Sequence, residues 1–260
     1  MVTSMQPKQN EWLEQWTLLN CNELFLFQEW IAPFTLNDFQ NKDILECGCG
    51  GGQHTNFMAK YANSITAVDL NTIDLAKKRN ALYTNIKFIE ADIAQMDLKK
   101  QFDIVVCIGV LQHTDNPDHT IKNLKKHLKP GGLLLLWCYS MEGNFLVKNI
   151  VEPIRKKFLA KISRKQLVVI SKVITSMLYL PIYSLYLLPI TVLPYYQYFQ
   201  NFRKMSFYRN MLNVFDKLNA PQTIFFSKNQ ILEFVSNFQN INLCHYRKVS
   251  WRVSGYKSDA

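Results

Sequence analysis

Three carboxylates at or near the ends of apolar runs, and a cluster of glycines beside the first of them, are the residues whose types and spacing suit ligand chemistry. Glu46 lies in the run Asp43 to Cys47, Asp69 closes the run Ile65 to Val68, and Asp92 follows the run Ile86 to Ile89. Gly48, Gly50, Gly51 and Gly52 come straight after the first run and before a polar–apolar helical pattern from Gln53 to Tyr61. Glycines crowd a turn where the backbone must take positive φ or let a ligand approach without a Cβ in the way. The helix behind such a turn presents unpaired N–H groups to whatever lies in it. An acid about 20 residues further on, at the tip of the second strand, is placed to accept both ribose hydroxyls of an adenosine, and Asp69 stands there.

Charge and spacing discriminate among adenosine ligands. The dinucleotide fingerprint G-x-G-x-x-G/A fails, because Gln53 stands where the third small residue belongs. A phosphate loop fails too, because no Lys or Arg occurs between Asp43 and Met58. Glu46, two residues before the first glycine, would repel a pyrophosphate and suit a cation. S-adenosylmethionine, with a sulfonium and an α-ammonium, fits that pattern.

These residues resemble the class I S-adenosylmethionine-dependent methyltransferases, whose first motif, acid-x-G-x-G-x-G, is matched by Glu46, Gly48, Gly50 and Gly52. Glu46 replaces the commoner Asp. Asp69 takes the place of the ribose-binding acid, and Glu90-Ala91-Asp92-Ile93 resembles the adenine-binding segment. Phe102 to His113 resembles the fourth strand and its loop, and Leu128-Lys129-Pro130-Gly131-Gly132 the turn into the fifth strand. From about Glu29 to the C-terminal SWRVSGYK, including VFDKLNAPQT at Val214 to Thr223, the chain is similar to bacterial type 11 methyltransferases. The resemblance implies methyl transfer with S-adenosylmethionine as cofactor. It implies cofactor contacts from Glu46, Gly48, Cys49, Gly50, Gly52 and His54, from Asp69 and Leu70, from Asp92 and Ile93, and from Cys107 and Ile108.

The elements that must position these residues follow from periodicity. Strands at Ile44, 65–69, 86–91, 103–110 and 132–139 alternate with helices at 53–61, 72–83 and 117–128, which predicts an α/β fold with a mostly parallel, doubly wound, Rossmann-like sheet. Right-handed crossovers bring the strand C-termini, and with them the candidate residues, to one edge. Asn116-Pro117 fits an N-cap and first helical position, and Ser227 with Gln230 fits a capping box. Two strands near Ile241–Lys248 and Ser250–Tyr256 are expected to close the sheet as an antiparallel hairpin. The expected division is an N-terminal helical segment (1–35), a cofactor-binding core (36–140), a helical cap insertion (141–226), and a C-terminal helix and hairpin completing the core (227–260).

The insertion carries the charge. Ten basic residues and no acid lie between Pro153 and Phe215, while the rest of the chain has twenty of each, so the net +10 belongs to this segment. From Val173 to Phe202 there is no charge, and seven of the twelve tyrosines lie between Tyr179 and Tyr208. The length permits a membrane span of about 20 residues, but Pro181, Pro189 and Pro194 interrupt it. We expect a cap of short helices over the site, with peripheral membrane contact through 155–205 and a dimer interface as the other readings. The oligomeric state is not read from the sequence. The N-terminus has no signal-peptide pattern and the six cysteines form no C-x-x-C pair, so a cytoplasmic, reduced protein is expected, with membrane association as the added alternative.

The expected acceptor is a small molecule, a sugar or a lipid-linked compound. A nucleic-acid acceptor, RNA in particular, is the alternative that the basic insertion raises, although aliphatic residues dominate the uncharged run and no N/D-P-P-Y/F follows the fourth strand. A catalytically silent S-adenosylmethionine-binding protein is the other. In-line displacement at an activated methyl draws on alignment and desolvation, and needs a base only where the nucleophile must lose a proton. His113 is the first candidate, with Asp115 and His119 near it in sequence; Asp118 completes a cluster that a compact helix-capping loop explains without a metal.

Overall fold

The computed structural model describes residues 10–19 and 23–258. Two helices, α1 (Asn10–Leu18) and α2 (Leu24–Ile31), precede the alternating core β1 (Asp43–Cys47), α3 (Gln53–Ala59), β2 (Ser64–Asp69), α4 (Ile73–Arg79), β3 (Ile86–Glu90), β4 (Phe102–Ile108), α5 (Pro117–Lys126) and β5 (Leu128–Tyr139). A helical insertion follows with α6 (Glu152–Lys157), α7 (Arg164–Ile182), α8 (Tyr196–Phe202) and α9 (Phe207–Asn219), and the chain ends in α10 (Lys228–Phe234), β6 (Phe238–Tyr246) and β7 (Ser250–Lys257). The expected signal-free N-terminus and Cys21 lie outside the described residues.

The sheet runs β3-β2-β1-β4-β5-β7-β6, with β1 to β5 parallel and β7 antiparallel to both its neighbours. Period two sorts its side chains onto two buried faces. Leu45, Cys47, Val105, Cys107, Leu134 and Leu136 share one face with α5 and α10 residues such as Ile121 and Ile231. Ile44, Ile104, Val106, Leu133 and Leu135 share the other with Phe27, Ile31 and Met58. This alternation sends Glu46 to the second face, with α2 and α3, and Cys107 to the first.

Several boundaries differ from the sequence expectation. α4 stops at Arg79, not 83, because the Asn80 amide turns back to donate to the Ala76 and Gly52 carbonyls. β4 ends at Ile108, where Gly109 takes φ +76. β5 begins at Leu128, its ladder with β4 shifting register across Pro130–Gly132. The insertion is not made only of short helices: α7 is 19 residues long, and Pro181 falls in its last turn, where it interrupts little. The capping residues fold as expected, Asn116 accepting from the His119 N–H and Ser227 with Gln230 closing a capping box.

Candidate active site

The glycine turn leaves β1 at the C-terminal edge of the sheet. Gly48, Gly50 and Gly52 all adopt positive φ, at +77, +53 and +76, which explains their identity. The turn is held from β2 and α4. Gly48 and Cys49 donate their N–H groups to the Val68 carbonyl at 2.8 and 3.0 Å, Gly50 N–H donates to Asp69 Oδ2 at 2.9 Å, and Thr72 and Arg79 donate to the Gly50 and Gly51 carbonyls. Asp69 Oδ1 also accepts the Asn71 N–H at 3.3 Å. Asp92 holds the next loop, accepting from Ala94 N–H at 2.8 Å and the Gln95 amide at 3.1 Å. The segment after it is a turn and not a helix.

A cavity of about 970 Å³ opens beside these loops, a volume at the upper end for small-molecule sites. Gly48, Cys49, Gly50, His54, Asp69, Leu70, Asp92, Ile93, Ile108 and His113 line it. Three candidates do not. Gly52 caps α3 against α4, Cys107 is fully buried in the first face of the sheet, and Glu46 lies beneath the turn at 2% exposure. Glu46 Oε2 accepts from Thr55 Oγ1 at 2.5 Å. Its Oε1 is buried without a hydrogen-bond partner, 4.0 Å from His54 Nδ1. Burial, together with the Asp69 charge, pushes the Glu46 carboxyl up to about 8. Burial and the Arg209 charge push His54 down to about 3, so its ring is neutral at physiological pH.

His113 sits in the loop after β4, its ring 4.6 Å from that of Trp12. Its Nδ1 lies 2.8 Å from the Gln222 carbonyl. A carbonyl only accepts, so Nδ1 carries the proton and Nε2 keeps its lone pair. Burial lowers the His113 pKa below 6.5 against the opposing pull of Asp216. Gln222 fixes the loop a second time, donating to the His113 carbonyl and to Asp115 Oδ1. Asp115 and His119 also line the cavity. Among the described residues no group of three or more His, Cys, Asp or Glu is disposed to hold a metal ion.

The far side of the cavity comes from α1, α2, the end of β5 and the insertion, through residues the sequence reading did not name as site residues. Tyr139, at the end of β5, donates to Asp216 Oδ2 of α9 at 2.8 Å, and Gln15 of α1 donates to the other carboxylate oxygen at 3.0 Å. Lys217 donates to the Tyr198 hydroxyl at 2.9 Å. Trp30, Trp137, Phe199 and Arg209 complete an aromatic wall with two cations. Trp16 rests against the glycine turn, its Nε1 2.9 Å from where a Cβ on Gly50 would stand. The signal for Trp12 and Trp16 was present as helical spacing, but nothing in one sequence says which face of that helix meets the turn.

The fold and this geometry can be set against known proteins. The family described as "Methyltransferase domain" matches residues 45–136. The ubiquinone biosynthesis O-methyltransferase of Rickettsia conorii is 32% identical over 105 residues, covering 38% of this chain and 36% of that protein, so the chain spans just over a third of the relative's length. Two solved structures share the fold across nearly the whole chain. The N-methyltransferase NodS from Bradyrhizobium japonicum WM9, in complex with S-adenosyl-l-homocysteine, superposes with a TM-score of 0.53 at 13% identity, over 95% of this chain and 98% of that one. The Burkholderia thailandensis 1,6-didemethyltoxoflavin-N1-methyltransferase does so with a TM-score of 0.54 at 10% identity, over 96% and 87%. With the parallel sheet, the glycine turn and its carboxylates at one edge, residues 45–136 match the methyltransferase-domain family, and the chain shares the fold of these two solved methyltransferases.

Proposed function

We propose that this chain moves a methyl group from S-adenosylmethionine to a small-molecule, sugar or lipid-linked acceptor by in-line displacement. The observation that carries the reading is the glycine turn pinned by Asp69 at the mouth of a cavity whose other wall is the helical insertion. The fit to the donor rests on charge. Asp69 and Asp92 line the turn end of the cavity, and the unpartnered Glu46 Oε1 lies directly beneath it, a donor set suited to a cation. S-adenosylmethionine, when bound, supplies a methyl carbon already activated by its sulfonium.

The chain's own residues do the rest. Asp69 accepts the ribose hydroxyls, Asp92 and Ile93 take the adenine end, and Gly48, Cys49 and Gly50 allow close backbone approach. Leu70 and Ile108 supply apolar walls. Glu46, with neutral His54 beside it, keeps its proton below about pH 8 in the empty pocket and gives it up to meet the ammonium end from below, while Gly52 and Cys107 act by shaping the turn and the strand. Neutral His113, with Nδ1 committed to Gln222, takes the proton from an acceptor hydroxyl at Nε2. Tyr139, Trp30, Trp137 and Phe199 exclude water from the acceptor and align it.

The relative and the neighbours are named for O- and N-methylation, which supports methyl transfer and leaves the acceptor atom of this chain to experiment. A cytoplasmic setting belongs to the same reading, since the five described cysteines are free thiols. Calorimetry with S-adenosylhomocysteine tests the donor site: binding is expected, and Asp69→Asn weakens it by roughly tenfold or more through loss of a charge-assisted bond. Labelled methyl supplied to cell-extract fractions then sorts the acceptor, with label expected in small molecules, saccharide or lipid. Label in RNA would transfer the protein to the nucleic-acid enzymes. Donor binding without label anywhere would make it a silent binding protein. Absence of binding overturns the proposal.

A further inference from the structure

Helix α7 is apolar on both of its long sides. Leu167, Ser171, Thr175 and Ile182 are buried, and Leu167 packs with Met211, Leu212 and Phe215 of α9. About 200° around the helix from Leu167 and Ser171, at 3.6 residues per turn, Val169 and Val173 begin an exposed row that continues with Met177 and Leu180. Steps of four, four and three residues keep the row on one face. Met177 is 70% and Leu180 78% exposed, and the segment beyond the helix extends the apolar surface to Val192, which is 88% exposed. A helix facing water on this side would carry polar residues in that row.

The surrounding charge says what covers it. Lys165 and Lys172 are exposed along one edge of the row, Lys161 is exposed just before the helix, and no acid occurs between Pro153 and Phe215. A second copy packed symmetrically on this face would set lysines against lysines. A nucleic-acid strand would find aliphatic residues where it needs aromatic ones to stack on. An anionic lipid surface satisfies both features, with apolar residues entering the headgroup–acyl boundary and lysines neutralising headgroups. α7 is long and apolar enough to cross a membrane, with mean hydropathy 1.3. Its inner side is already packed on α9, however, and Lys172 lies within its length, so it lies in the plane and does not cross.

We propose that the outer face of α7 and the segment up to Val192 dock this protein on an anionic lipid bilayer. Docking does not depend on the donor site: a chain that floats with vesicles but binds no S-adenosylhomocysteine overturns the methyl-transfer reading and leaves this one standing.

The test is flotation of the full chain with phosphatidylcholine vesicles, with and without phosphatidylglycerol. The chain is expected to float only with phosphatidylglycerol present, and less as salt rises. Lys165→Glu with Lys172→Glu, and separately Met177→Gln with Leu180→Gln, each lower vesicle affinity by about tenfold or more. All four positions are exposed, so unchanged S-adenosylhomocysteine affinity and melting temperature certify that the variants are folded. A chain that stays in the dense fraction with both vesicles overturns the proposal, as do variants that float like the parent. A concentration-dependent dimer in sedimentation velocity that Met177→Gln with Leu180→Gln dissolves, with flotation unaltered, also overturns it and assigns the face to a homodimer.

Discussion

At the scale of single residues, two buried titratable groups set the expected pH behaviour. Glu46 holds its proton up to about 8 in the folded chain, against an ordinary value of 4.5. A ligand ammonium beneath the turn favours the ionised form, so donor-product binding releases a proton and tightens as pH rises toward about 8. Calorimetry in buffers of different ionisation enthalpy measures that proton, and Glu46→Gln abolishes it. The same shift has an opposite sign for the empty fold. The unfolded chain loses this proton first, so stability contributed here falls as pH rises from 4.5 toward about 8, and Glu46→Gln flattens that part of a pH–unfolding curve. His113, lowered below 6.5, is expected to give a rate profile whose acid limb lies below that value. His113→Gln, which keeps a side-chain donor for the Gln222 carbonyl, should cut methyl transfer by roughly a hundredfold or more while leaving S-adenosylhomocysteine affinity near the parent's. The place of Asp69 beside the glycine turn was legible because it follows from short spacing along one βαβ unit. Tyr139 and Asp216 were not, because they are 77 residues apart and meet only through packing.

At the scale of elements, the signals that read correctly are those complete within a few residues. The Ser227–Gln230 box satisfies backbone and side chain reciprocally, and Ser227→Ala is expected to cost about 1 kcal/mol. Thermal unfolding should show this as a drop of about 2–4 °C with donor-product affinity unchanged. Helix ends fixed from elsewhere read less well: α4 ends where Asn80 reaches across to Gly52, a contact no local pattern announces. The insertion is helical as expected, but the length of α7 was missed for a related reason. Pro181 was weighed as a breaker, but its effect depends on whether a helix continues past it, and α7 does not.

At the scale of the whole molecule, the mostly parallel sheet and its closing C-terminal antiparallel hairpin were legible because alternating patterns and short connections leave few topologies, while the seating of β7 between β5 and β6 came from the structure. How the ends of the chain meet the insertion was not. Gln15 and Asn219 are hydrogen-bonded, Arg164 pairs with Glu11 at 3.5 Å, and Tyr208 donates to the Leu18 carbonyl. Gln15→Leu, which strips Asp216 and Asn219 of a partner in a buried place, is expected to lower stability by about 1–3 kcal/mol in denaturant titration.

Glu29 deepens that picture. On α2 it accepts from the Tyr246 hydroxyl and, at 3.1 Å, from Arg247 of the hairpin, and at 3.2 Å from Asn201 near the end of α8. Three stretches remote in sequence are therefore fastened at one carboxylate on the rim of the chamber. The insertion cannot swing from the hairpin on its own, because its latch is shared with the frame: lifting it alone breaks the Asn201 bonds to Glu29 and Tyr246, and taking α2 along breaks those that Tyr246 and Arg247 make to Glu29.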